Sequence, residues 1–251
     1  MGRRAADRAS RTQKIVYDTR TIAFICELMH PPSQPDTGAI QRVHNGFFQD
    51  GDPAYTSFAI TPMGPVLTNP SVRPGAVSQA VFLPDRYQFR EELGALTCDD
   101  FGARVRQVTE AVTAQTGLAD FSGQQVTIRS LINPRHYRNS RDLLKEGLFK
   151  MPEPVAQFEN DPAIWGVRMV FPPQEAEENQ EDFGEERPTA NALRIESYAQ
   201  DPRSLFLENQ GSFGQIAVSD GLDVVESNIT TAYEFLVERG LSFVSSFDQS
   251  S

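Results

Sequence analysis

The sequence predicts an α+β fold of two tandem ferredoxin-like (split βαβ) repeats, the second lacking a clear first helix. Three features of the 251-residue chain carry this reading. Two short apolar runs each have an aromatic residue seven positions ahead of a Pro-Pro pair: Phe24 before Pro31-Pro32, and Trp165 before Pro172-Pro173. Proline cannot donate to a ladder, so each run reads as a strand with a firm end. Two amphipathic helices then end alike, on Gly117-Leu118 and Gly240-Leu241. Glycine followed by an apolar residue marks a left-handed helix stop. Finally, the first half runs β-α-β-β-α-β, the order of a split βαβ unit. Repeated punctuation at corresponding places argues for an internal duplication.

In order, 22–30 is the first strand. Asp36 or Thr37 caps a helix with Ile40, Val43 and Phe47 inward. A strand is expected over 55–63, and alternation over 77–83 and 87–93 suits a strand or a long hairpin. Asp99 or Asp100 caps a helix to residue 116 whose apolar positions Phe101, Val105, Val108 and Val112 share one face. A strand over 125–132 closes the first half. Asn139 or Ser140 starts a short helix through Leu143, Leu144 and Leu148. The second half reads as strands at 164–171, 192–199 and 204–209. A helix from Ser219 or Asp220 to 239 follows, with Leu222, Val225, Ile229 and Leu236 inward, and then a last strand over 241–247. The stretch from Pro-Pro to helix cap is shorter in the second half (172 to 219) than in the first (31 to 99), which fits an eroded first helix.

The expected organisation is a disordered basic leader over 1–14, a first lobe over 15–150, a Pro-rich linker over 151–163, and a second lobe over 164–251. The leader carries +4. Residues 174–186 carry seven acids, no base and one aromatic, Phe183, and read as a solvated acidic loop. The whole chain has 23 basic and 34 acidic side chains, for a net charge of −11. That balance argues against free nucleic acid as a partner, since phosphate binding draws on clustered Lys and Arg. No run approaches the roughly 20 apolar residues of a membrane helix, and no apolar segment follows the basic start as in a secretory signal. With two Cys and no disulfide framework, a cytoplasmic location is expected.

Some stretches resemble a sporadically distributed bacterial family of uncharacterised two-lobed proteins: Glu27-Leu28 ahead of Pro31-Pro32, Asp85-Arg86-Tyr87 within a strand, and a strand running through Ile132 into Asn133. The resemblance covers about residues 15–250, mostly as element order. It implies the two-lobed fold and brings no activity with it.

Side chains that could carry chemistry are few. His30 and Glu27 stand three apart on a strand, on opposite faces, and form no ready ligand pair. No His-x-x-x-His or Cys-x-x-Cys spacing is present, so no metal site is expected, and neither is a cofactor. Cys98 precedes a helix start that would favour a thiolate, but Asp99 and Asp100 oppose that charge. Cys26 reads as a core residue. There is no nucleophile elbow and no phosphate loop; Pro62-Met63-Gly64-Pro65 is a turn.

The most prominent cluster is Arg129, Arg135, His136, Tyr137, Arg138, Arg141 and Lys145. This stretch holds five Lys and Arg against one acid, Asp142, in an acidic protein. It is either an anion or partner site, where Arg forks take carboxylate or phosphate, or a set of ion pairs between the lobes. The function read from the sequence is that of a non-catalytic protein-binding or assembly protein, with a protein or small anion as partner and no membrane. The alternatives are a metal-independent RNA-processing endonuclease, with His136, Tyr137 and Arg138 as its working groups, and a haem-binding α/β barrel with an axial His.

Overall fold

Alternation of side chains along each strand sorts the chain into two faces, and the order of strands follows from where the apolar face must go. The computed structural model describes residues 15–49, 51, 53–150, 160, 162–173 and 189–249. The leader over 1–14, nearly all of the linker and the acidic loop over 174–186 lie outside the described residues.

The first half holds strand β1 (Arg20–Met29), helix α1 (Thr37–Gln49) and the hairpin β2 (Ser57–Thr61) and β3 (Gly64–Thr68). It continues with strands β4 (Val77–Phe82) and β5 (Arg86–Glu92), helix α2 (Cys98–Thr116), a two-residue strand β6 (Asp120–Phe121) and strand β7 (Gly123–Ile132). A short helix α3 (Ser140–Asp142) then runs on into a π-helical stretch, Leu143–Phe149. The second half holds strands β8 (Gly166–Phe171), β9 (Ala190–Ser197), β10 (Leu205–Phe213) and β11 (Ile216–Ala217). Helix α4 (Asp223–Glu234) follows, then a π-helical turn Phe235–Gly240 and helix α5 (Leu241–Ser245).

Among the described residues, nine strands form one antiparallel sheet in the order β2-β3-β4-β5-β1-β7-β10-β9-β8. Within the first half the strand order is β7-β1-β5-β4, with β3 and β2 continuing to the edge. Sequence reading missed β3, because the Gly64-Pro65 start masks its alternation. The second half departs from the expected repeat. Strands β8, β9 and β10 form a simple meander, and β8 lies at the sheet edge, whereas β1 is flanked on both sides. Strands 22–30 and 164–171 are therefore not equivalent by pairing. In a split βαβ unit the third strand lies between the first and the second, whereas here β9 lies between β8 and β10. The two halves share one sheet, since β7 and β10 pair along their lengths, and α2 packs on α4.

One face of the sheet carries Phe24, Cys26, Leu28, Phe89, Val126, Ile128, Leu193 and Ile195, all buried in one core with the inward residues of α1, α2, α4 and α5. Asp36 Oδ1 accepts from the amide of Ala39, and Asn139 Oδ1 from that of Asp142, so both expected caps form. The cap of α2 sits two or three residues earlier than expected. Thr97 is its N-cap and closes a capping box with Asp100, whose carboxylate takes the Thr97 amide. At α4, Leu222 holds the N-cap position, while Ser219 and Asp220 lie in a preceding 3-10 turn.

The two glycine stops behave differently. Gly117 is left-handed (φ 70°) and its amide reaches Thr113 O. Gly240 is right-handed (φ −60°), and the chain continues through it into α5. The expected last strand over 241–247 is therefore helical, with Phe243 and Phe247 meeting edge-on one turn apart, at 4.8 Å. Opposite outcomes follow for substitution. Gly117→Val is expected to lower stability by about 1 kcal/mol or more. Gly240→Ala, whose added carbon meets Leu193 and Leu236 at ordinary contact distance, should be neutral or stabilise by up to about 1 kcal/mol. Urea melts of the two variants check both signs; a loss at Gly240 equal to that at Gly117 would contradict the right-handed assignment.

Candidate functional site

The seven basic-cluster residues part company in the structure. Arg129 stands in the middle of β7 on the sheet face away from the helices, and its Nε donates to Glu208 Oε2 of β10 at 2.7 Å. This is the ion pair between halves that the sequence offered as one reading of the cluster. Arg135, His136, Tyr137 and Arg138 form the turn after β7. Arg135 and Arg138 are exposed, and among the described residues neither meets a carboxylate through its side chain. The Arg135 guanidinium reaches Val16 O at 3.1 Å. Tyr137 turns inward against Gly147, while His136 stays at the surface with Nδ1 2.8 Å from Asp248 O. Arg141 donates to Ala163 O, and the Lys145 ammonium lies over the Trp165 ring.

The turn is held by a residue that sequence reading passed over. Asp248 is fully buried, and its carboxylate accepts from the Arg135 amide (2.7 Å), the His136 amide (2.8 Å) and the Tyr17 hydroxyl (3.0 Å). Burial first, and then the Asp248 charge, push the Tyr17 phenol above its ordinary range. One acid thus ties the segment before β1, the turn after β7 and the end of α5. The only sequence signal was a lone acid after the apolar run Leu241 to Phe247.

The helix-free face of the sheet shows a different grouping. Register places Glu92, Ala23, Arg129, Glu208, Arg194 and Arg168 in one row across β5, β1, β7, β10, β9 and β8. Glu208 lies between two guanidiniums, 2.7 Å from Arg129 and 3.8 Å from Arg194. Arg194 also forks onto Glu196 at 2.9 and 2.7 Å. The row then ends on a like-charge pair: Arg168 of β8 is the direct cross-strand neighbour of Arg194, and among the described residues it meets no carboxylate. Like charges directly opposite one another on a sheet are destabilising. Around them is an open hollow of about 600 Å³ whose lining includes Ile164, Arg168, Arg194, Glu196, Glu208 and Gln210. The signal in the sequence was the i, i+2 spacing of Arg90 with Glu92 and of Arg194 with Glu196, which puts both members of each pair on one strand face.

The remaining candidates are structural. Both cysteines are buried, and loss of solvent pushes their thiols up to about 12, so neither is a thiolate near neutral pH. The helix start expected to favour a Cys98 thiolate is outweighed by burial, with Asp99 adding to the rise. His30 is buried edge-on against Tyr87, with Nδ1 on Pro31 O. Among the described residues, no group of three or more His, Cys, Asp or Glu is placed to hold a metal ion. No described helix is long and apolar enough to cross a membrane. Compared with protein families, with curated proteins and with solved structures, the chain finds no match.

Proposed function

We propose that this chain is a non-catalytic protein-binding or assembly module that recognises its partner on the helix-free face of the sheet. The observation that carries the reading is the row ending in Arg168. A sheet that puts its helices on one side leaves the other to water or to a partner. Here that side bears ordered ion pairs, a hollow, and the Arg168 guanidinium, which among the described residues makes no ion pair with a carboxylate. An acidic group on a partner would relieve the Arg168–Arg194 repulsion, and Arg suits such a contact because its planar fork matches a carboxylate.

The resemblance to the two-lobed bacterial family enters here in the same way. We read the first half as a ferredoxin-like unit. The second half is then a reduced copy, in which β10 followed by α4 stands where β5 followed by α2 stands in the first. The support is the shared strand-then-helix order and the packing of α2 on α4.

The test is a pair of tryptophan substitutions in the full chain, purified from its own host. Gln210→Trp fills the centre of the open face. Ser227→Trp places the same bulk on the exposed side of α4 as a control. A protein partner that co-purifies with the parent and with Ser227→Trp should fall by at least about tenfold with Gln210→Trp, a loss of roughly 1.4 kcal/mol or more in binding. Equal recovery from both variants would overturn the open-face reading.

A further inference from the structure

Among the described residues, an unpaired strand edge, exposed apolar side chains and an unmatched charge coincide at the outer edge of β8. We propose that it accepts an added β-strand from the partner protein, an extended segment with an acidic residue opposite Arg168 and apolar residues on either side of it. The proposal rests on the open-face reading and specifies how that face is used.

Strand β8 ends the sheet, and among the described residues nothing pairs with its outer side. Its row of free amide and carbonyl groups is a template for another strand. Val167, Met169 and Phe171 point toward the helices, where Phe171 meets Phe235 at 5.5 Å; Gly166, Arg168 and Val170 stand on the open face. Apolar surface clusters at this edge, with Ile164, Val170 and Phe171 exposed by 47, 66 and 40%. An added strand would alternate in step with β8. Its residues beside Val167 and Met169 would extend the core and should be apolar. The residue between them would face Arg168 across the new pair, within the reach at which opposite charges attract on a sheet.

Charge selects both the edge and the occupant. The opposite edge, β2, also exposes apolar side chains at Ile60 and just beyond it at Met63, but carries no charged residue to choose among partners. A second copy of β8, aligned antiparallel about Arg168, would bring a third guanidinium beside Arg168 and Arg194. A partner strand with an acid at that position instead removes the repulsion already present. Strand addition of this kind takes its affinity from main-chain bonds and its specificity from alternate side chains.

The test uses three short end-capped peptides and the full chain, followed by calorimetry. One alternates valine with serine and has a central glutamate in place of a serine; the second has lysine there; the third is the glutamate peptide with alternate backbone nitrogens methylated. The glutamate peptide should bind about fivefold tighter than the lysine peptide, Arg168→Glu should reverse that order, and methylation should weaken binding by at least about tenfold. Equal binding of the glutamate and lysine peptides, or full binding of the methylated one, would overturn the proposal. So would an Arg168→Ala variant that merely self-associates without taking up peptide, because Arg168 would then be a guard against edge pairing. If no peptide binds while Gln210→Trp still strips the co-purifying partner, the edge proposal falls and the open-face reading stands.

Discussion

Asp248→Ala is expected to lower the stability of the folded chain by about 3–5 kcal/mol, a large share of what a domain of this size possesses. The substitution removes three hydrogen bonds to a charged acceptor and leaves the Tyr17 hydroxyl and the amides of Arg135 and His136 without it. Buried donors left without an acceptor are what make such a change severe. Those two amides lie in an exposed turn, so water can replace part of what is lost, which sets the lower end of the range. Asp248→Asn should recover part of the loss, because its carbonyl oxygen can still accept while its amide group faces a donor. Urea unfolding measures both. A loss below about 1 kcal/mol for the alanine variant would mean that the carboxylate does not hold these three segments together.

The second large effect is expected at Phe101. Its ring is buried on α2 and stacks on Phe24 of β1 with centroids 5.4 Å apart, while Phe24 also meets Tyr233 of α4 at 6.1 Å. Removing the Phe101 ring opens a cavity where α2 and α4 meet the sheet. Phe101→Ala should cost about 3–5 kcal/mol, combining lost transfer energy with the void left behind. Phe101→Leu fills most of the space and should cost markedly less. Equal destabilisation by both, measured by urea melts at constant slope, would argue that ring stacking rather than volume carries the effect.

These two residues mark the two ends of what could be read in advance. Phe101, Val105, Val108 and Val112 announced the buried stripe of α2 by spacing alone, because side chains three and four apart share a helix face in any context. The caps at Asp36 and Asn139 and the left-handed stop at Gly117 were legible for the same reason: their partners lie within a turn. Asp248 was invisible because its partners, Tyr17, Arg135 and His136, are more than a hundred positions away. The basic cluster misled in the opposite way. Its members are near in sequence, yet β7, the following turn and α3 point them in different directions.

Local chemistry in the sequence therefore determined the strands' two faces, the inward stripes of the helices, and the α+β class. Only the tertiary structure decided which edges met. Gly240-Leu241 carries the same punctuation as Gly117-Leu118, yet no strand follows it: Gly240 takes right-handed helical angles and the chain runs through it into α5, although among the described residues β8 leaves a sheet edge open. The residues after Gly240 bury Val244, Ser245 and Asp248 as a helix and its following turn instead. The same pairing brought Arg168 against Arg194 and made a row of charges from strands far apart in the chain. Strand register is a contact between distant segments, and a strand's own residues fix which side faces the core but not which strand lies beside it.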